Sequence, residues 1–93
     1  MSYRIEVAPA AERQLRRLDP KMRTRIAARL RPLAENPRPH GAKQLSAPER
    51  LWRLRVGAWR VIYQIHDDRL VVLVLRVGHR GEVYRKLDSL RGR

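Results

Sequence analysis

The stretch Trp52-Arg53-Leu54-Arg55-Val56-Gly57-Ala58-Trp59-Arg60-Val61-Ile62-Tyr63 spaces its arginines so that one hairpin would gather them. Gly57-Ala58 fits a two-residue turn, with glycine first to supply the positive φ of type II′. Counting outward from that turn, Val56 faces Trp59, Arg55 faces Arg60, Leu54 faces Val61 and Arg53 faces Ile62. Side chains alternate across a sheet, so Trp52, Leu54, Val56, Trp59, Val61 and Tyr63 share one apolar face. Arg53, Arg55 and Arg60 share the other. Like charges set opposite one another weaken a sheet, where opposite charges or aromatic pairs would add ~0.2–1 kcal/mol each. Either these arginines splay into solvent, or an anion binds among them. A guanidinium offers a planar fork of donors suited to phosphate.

A second stretch, Arg76-Val77-Gly78-His79-Arg80-Gly81-Glu82-Val83-Tyr84, follows the next apolar run and supplies His79, Arg80 and Tyr84. Taken singly, such a histidine is a surface residue and such a tyrosine packs. Together with the arginine face they resemble the needs of RNA cleavage. There the ribose 2′-OH attacks the adjacent phosphorus, and the enzyme takes a proton, donates one and stabilises charge on the phosphorane oxygens. Other chemistries fit less well. There is no P-loop or dinucleotide fingerprint. His79 and Glu82 alone make a weak metal pair, so no metal and no cofactor are expected. Asp67-Asp68 reads as turn chemistry, and His40 and His66 have no evident partner.

The elements that must position these residues follow from periodicity. Tyr3, Ile5 and Val7 alternate with Arg4 and Glu6, as in a half-buried strand. Pro9 opens a helix with Ala11, Leu15 and Leu18 on one stripe. Asp19-Pro20 caps and starts a second, with Met22, Ile26, Leu30 and Leu33 in step. Asn36-Pro37-Arg38-Pro39-His40-Gly41 stops it, and a loop runs to about Ala47-Pro48. Three strands follow: Leu51 to Val56, Trp59 to Ile65, and Leu70 to Gly78, the last apolar on both faces and expected at the sheet centre. Val83 to Leu87 reads as a short strand or the start of a tail. The expectation is one small α+β domain over 1–93, with a core of about 3–87 and a short basic tail, 88–93. Its order is β-α-α-β-β-β, an antiparallel-rich sheet packed by an N-terminal helical hairpin.

Composition agrees with an anionic partner. The 93 residues carry 22 Lys and Arg against 9 Asp and Glu, a formal charge of +13. Self-repulsion of that size is tolerated when a polyanion or an acidic partner awaits. Cysteine is absent, which excludes disulfides and thiolate metal sites. The N-terminal residues lack the apolar stretch of a signal peptide, and Leu70 to Leu75 is too short to span a bilayer, so the expected address is the cytoplasm with no membrane partner.

The element order, the segment from Trp52 to Tyr63 and the ending Val77-Gly78-His79-Arg80 with Glu82-Val83-Tyr84 resemble the RelE branch of the RelE/ParE toxin superfamily, from about Tyr3 to Leu87. The resemblance implies a type II toxin that cuts mRNA in the ribosomal A site and is held inactive by a cognate antitoxin wrapped around it. The ribosome and mRNA would be its targets, and the toxin–antitoxin complex would bind operator DNA through the antitoxin. By position, Arg60 matches an arginine that stabilises the scissile phosphate. Arg80 matches one assigned to the leaving group, and Tyr84 the tyrosine that orients the nucleotide. Arg53 and Arg55 stand where the best-known members carry lysines. An arginine cannot shed its proton as a lysine can. Both are therefore expected to stabilise charge, leaving His79 or Tyr84 to handle the proton.

Two rivals come from other classes. The ParE branch shares the fold but targets DNA gyrase. A plain nucleic-acid-binding module would use the same arginines for phosphate contacts without catalysis.

Overall fold

The computed structural model describes residues 2–46 and 50–81. Strand β1 (Arg4–Val7) leads into helices α1 (Pro9–Arg16) and α2 (Pro20–Leu30), and a 3-10 turn (Arg31–Ala34) closes the second helix. Four further strands follow: β2 (Lys43–Ser46), β3 (Leu51–Val56), β4 (Trp59–His66) and β5 (Val71–His79). They form one mixed sheet in the order β1-β5-β4-β3-β2. Among the described residues only β1 and β5 run parallel, and every other neighbouring pair is antiparallel.

The helix starts follow the sequence. Each helix has a proline in its first turn, where the missing N–H costs nothing. The Asp19 side chain caps α2 by accepting the Met22 backbone N–H at 2.8 Å. Ala11, Leu18, Ile26, Leu30 and Leu33 face the sheet and meet Leu54, Val56, Val61, Tyr63, Ile65, Val72, Val74 and Val77. Burying one such aliphatic side chain is worth roughly 1.5–3 kcal/mol, so this single layer of contact dominates the stability of the fold. Trp52 and Trp59 pack at its margin, as the apolar hairpin face requires.

Two expectations need correction. The segment before Ala47 is not all loop: Lys43 pairs with Arg53 and Gln44 with Trp52, making a short edge strand with an irregularity before Ser46. Lys43-Gln44-Leu45-Ser46 has one apolar side chain and no alternation to read; the exposed ladder of β3 recruits it. Second, β5 is interior but not central. It lies between β1 and β4, and β4 is the middle strand.

The far end of the sheet is held by polar ties. The Tyr63 hydroxyl, inside the core, donates to the Pro37 carbonyl at 2.8 Å. Burial pushes its pKa up to about 12. The Asp67 carboxylate accepts from Arg38 at 2.7 Å and from Tyr3, which hold its pKa down at about 2. The β4–β5 turn is therefore fixed to the strand and loop beside it. No helix among the described residues is long and apolar enough to cross a membrane.

Candidate nucleic-acid interface

The hairpin register is the one that counting from Gly57-Ala58 gives: Val56 with Trp59, Arg55 with Arg60, Leu54 with Val61, Arg53 with Ile62. Gly57 has φ +61, and Ala58 is not among the residues with positive φ, as a type II′ turn demands. Strand β5 extends the rows. Arg60 pairs with Gly78 and Ile62 with Arg76, so one row across four strands reads Lys43, Arg53, Ile62, Arg76. The next reads Arg55, Arg60, Gly78. All of these share the sheet face turned away from the helices. Within the two rows every charged side chain is cationic.

That face also has an apolar floor. Ile62 is fully buried and Leu51 nearly so, with Leu45 and Leu75 packed against them. Cations beside a low-dielectric floor act on an incoming anion with less screening than cations in open water.

The arginines differ in how they are held. Arg60 is 8% exposed, and its Nη1 donates to the Gly57 and Trp59 carbonyls, both at 3.0 Å. The turn thus fixes the guanidinium, and among the described residues its other donors are uncommitted. Arg53 has a buried Nε with no hydrogen-bond partner among the described residues. An orphaned buried donor costs ~1–3 kcal/mol, a cost that calls for an explanation such as an acceptor supplied from outside. Arg55 is exposed beside Arg60. Arg80 follows β5, and its backbone N–H donates to the Ala58 carbonyl at 3.0 Å, tying it to the hairpin tip.

His79 is not brought to the arginines. It sits opposite Trp59, hence on the helix side of the sheet, with the two rings edge to face at 5.5 Å between centroids. Strand alternation separates it from Arg60 even though both lie at the same sheet end. Tyr84 and the segment Val83 to Leu87 lie outside the described residues. Sequence reasoning missed Lys43 and Arg76. The first was hidden by taking its strand for a loop. The second was hidden by an irregularity between Ile62 and Tyr63, which shifts the alternation of β5.

Comparison with known proteins narrows the meaning of this surface. The family model for the ParE toxin of type II toxin–antitoxin system, parDE, matches residues 5–84. The mRNA interferase toxin RelE of Escherichia coli is 31% identical over 87 residues, spanning 90% of this chain and 92% of the relative. Toxin RelG of Mycobacterium tuberculosis is 28% identical over 92% of this chain and all of its own length. Among solved structures, the archaeal RelE–RelB complex from Pyrococcus horikoshii contains a chain that superposes with a TM-score of 0.78. The two are 26% identical, over 87% of this chain and 98% of that one.

Proposed function

The chain is a RelE-type member of the RelE/ParE superfamily of type II toxin–antitoxin toxins, and from that premise we propose that it is an endoribonuclease that cuts mRNA in the ribosomal A site and so stops translation. In the proposed reaction the 2′-oxygen of one ribose attacks the adjacent phosphorus and the bond to the next nucleotide's 5′-oxygen breaks. The 2′-OH gives up a proton, the departing 5′-oxygen takes one up, and a 2′,3′-cyclic phosphate remains on the upstream fragment.

The observation that carries the reading is the orphaned Nε of Arg53, set in rows whose charged members are all cations. Negative charge gathers on the non-bridging oxygens as the phosphorane forms. Donors fixed before the reaction stabilise that charge without reorganising, an effect worth roughly 10²–10³ in rate for one good donor. Arg60, held by two carbonyls, takes the phosphorane oxygens. Arg53 and Arg55 add charge stabilisation, and Arg80 the leaving oxygen. Arginines do not give up protons, so proton transfer passes to Tyr84. His79, behind the sheet against Trp59, supports the hairpin tip instead of taking that role. The scheme needs neither metal nor cofactor.

An acidic antitoxin segment that folds on contact and covers the arginine face completes the proposal, in keeping with the similarity to a RelE–RelB complex. The toxin works in the cytoplasm, and operator DNA is contacted by the complex through the antitoxin.

A second reading has its own support, because the matching family model is that of ParE. Side-by-side assays separate the two. Ribosome-dependent mRNA cleavage with normal gyrase supercoiling supports the proposal; inhibited supercoiling with intact mRNA replaces it with the gyrase-directed one.

A further inference from the structure

Strand β1 covers only part of β5. Their pairing ends at Val7 with Val74, and the Ala8 N–H donates to the Val74 carbonyl at 2.8 Å. Beyond that point the Val77 N–H has no strand partner on this edge among the described residues. It donates instead to Oε1 of Gln14 at 2.7 Å, so a side chain of α1 stands in for the missing strand. This clamp leaves a cleft of about 270 Å³ between α1 and β5, lined by Ala10, Arg13, Gln14, Arg17 and Arg76.

Among the described residues the lining is one-signed: three guanidiniums and no carboxylate. Arg13 and Arg17 are four residues apart, stacked on one face of the helix end, where like charges cost ~0.2–0.5 kcal/mol. Neither pairs with a carboxylate among the described residues. The C-terminal end of a helix favours cations in general. That does not account for Arg76, which comes from the sheet and is steadied by its Nη1 donating to the Leu75 carbonyl at 2.8 Å. Arg76 also ends the row that begins with Lys43 and Arg53, so the cleft continues the arginine face around the sheet edge.

We infer that this cleft is a second phosphate-binding site, which takes an RNA backbone phosphodiester away from the scissile one and sets the register of the strand on the sheet. The inference rests on the ribonuclease reading for its substrate class, and its chemistry is that of phosphate recognition by arginine forks. The phosphodiester could belong to the mRNA strand itself or to ribosomal RNA, and the test separates these.

Binding of the full chain to a short single-stranded RNA and to programmed ribosomes would be measured across a salt series. The wild type would be compared with an Arg13→Gln, Arg17→Gln variant and with a control carrying Arg29→Gln and Arg69→Gln, two exposed positions outside the cleft. The expected result is a loss of roughly tenfold in affinity for the cleft variant. Its log–log salt slope should be shallower by about 0.7 for each phosphate that the variant no longer neutralises, with a smaller effect in the control. Weaker binding to both probes assigns the phosphate to the mRNA strand; weaker binding to ribosomes alone assigns it to ribosomal RNA. Affinity and slope equal to wild type, or equal to the control, overturn the inference. Wild-type product formation is followed in the same samples. Failure to cleave, with the cleft effect present, would sink the ribonuclease reading and leave the phosphate site standing.

Discussion

Arg60 donates from Nη1 to the carbonyl of Gly57 at 3.0 Å, so the turn that sets the hairpin register also holds the side chain at the middle of the arginine face. Local geometry and the proposed chemistry are coupled through one glycine. The carbonyl points correctly only while Gly57 keeps φ +61, a region that L side chains enter at a cost.

Gly57→Ala is therefore expected to do two things. It should lower stability by about 1–2 kcal/mol in urea unfolding, and it should lower the cleavage rate at saturating substrate beyond what the unfolded fraction explains. The added Cβ would meet only the Arg25 guanidinium at ordinary van der Waals distance, 3.6 Å or more, so crowding is not the cause. A variant as active per folded molecule as the wild type would uncouple the turn from the site.

Arg53→Met should move stability and activity in opposite directions. It removes a buried donor that has no partner among the described residues and keeps an unbranched side chain over the apolar floor. Unfolding free energy should rise, by up to ~1–3 kcal/mol, while cleavage falls by about 10²-fold. Chemical denaturation and single-turnover cleavage measure the two. A destabilised variant would mean that Arg53 is a structural residue whose Nε finds its acceptor within the fold.

Tyr63 predicts an alkaline limit to stability. The fold holds the neutral phenol, and burial raises its pKa from 10 to about 12. Its contribution is complete below pH 10 and is lost as pH rises through about 12, because the unfolded chain ionises first. Tyr63→Phe should cost about 1–2 kcal/mol at neutral pH by leaving the Pro37 carbonyl unsatisfied, and should flatten the decline between pH 10 and 12. Denaturation midpoints against pH would show both effects; an equally steep decline in the variant would assign the alkaline limit to other groups.

How far the sequence carried the reading depended on which forces set each element. The hairpin was legible because a two-residue turn leaves a single register, and all four counted pairs are present. The helices were legible because Asp19-Pro20 marks a start that local chemistry enforces. Arg76 was not legible. Strict alternation from Val72 and Val74 would send it into the core, and only the irregularity between Ile62 and Tyr63 puts Val77 inside and Arg76 out. Such an irregularity is decided by pairing across strands, which a single segment does not encode. His79 looked like a companion of Arg60 because both belong to the same sheet end, and its face followed only from the pairing with Trp59.

The most direct test of the ribonuclease assignment is primer extension on an mRNA translated in vitro, comparing the wild type with an Arg60→Ala, Arg80→Ala double variant. The expected result is a set of new breaks at codon spacing that require ribosomes and vanish in the variant. Breaks that persist in the variant would remove the arginine face from the chemistry. Intact mRNA with the wild type would contradict the assignment itself.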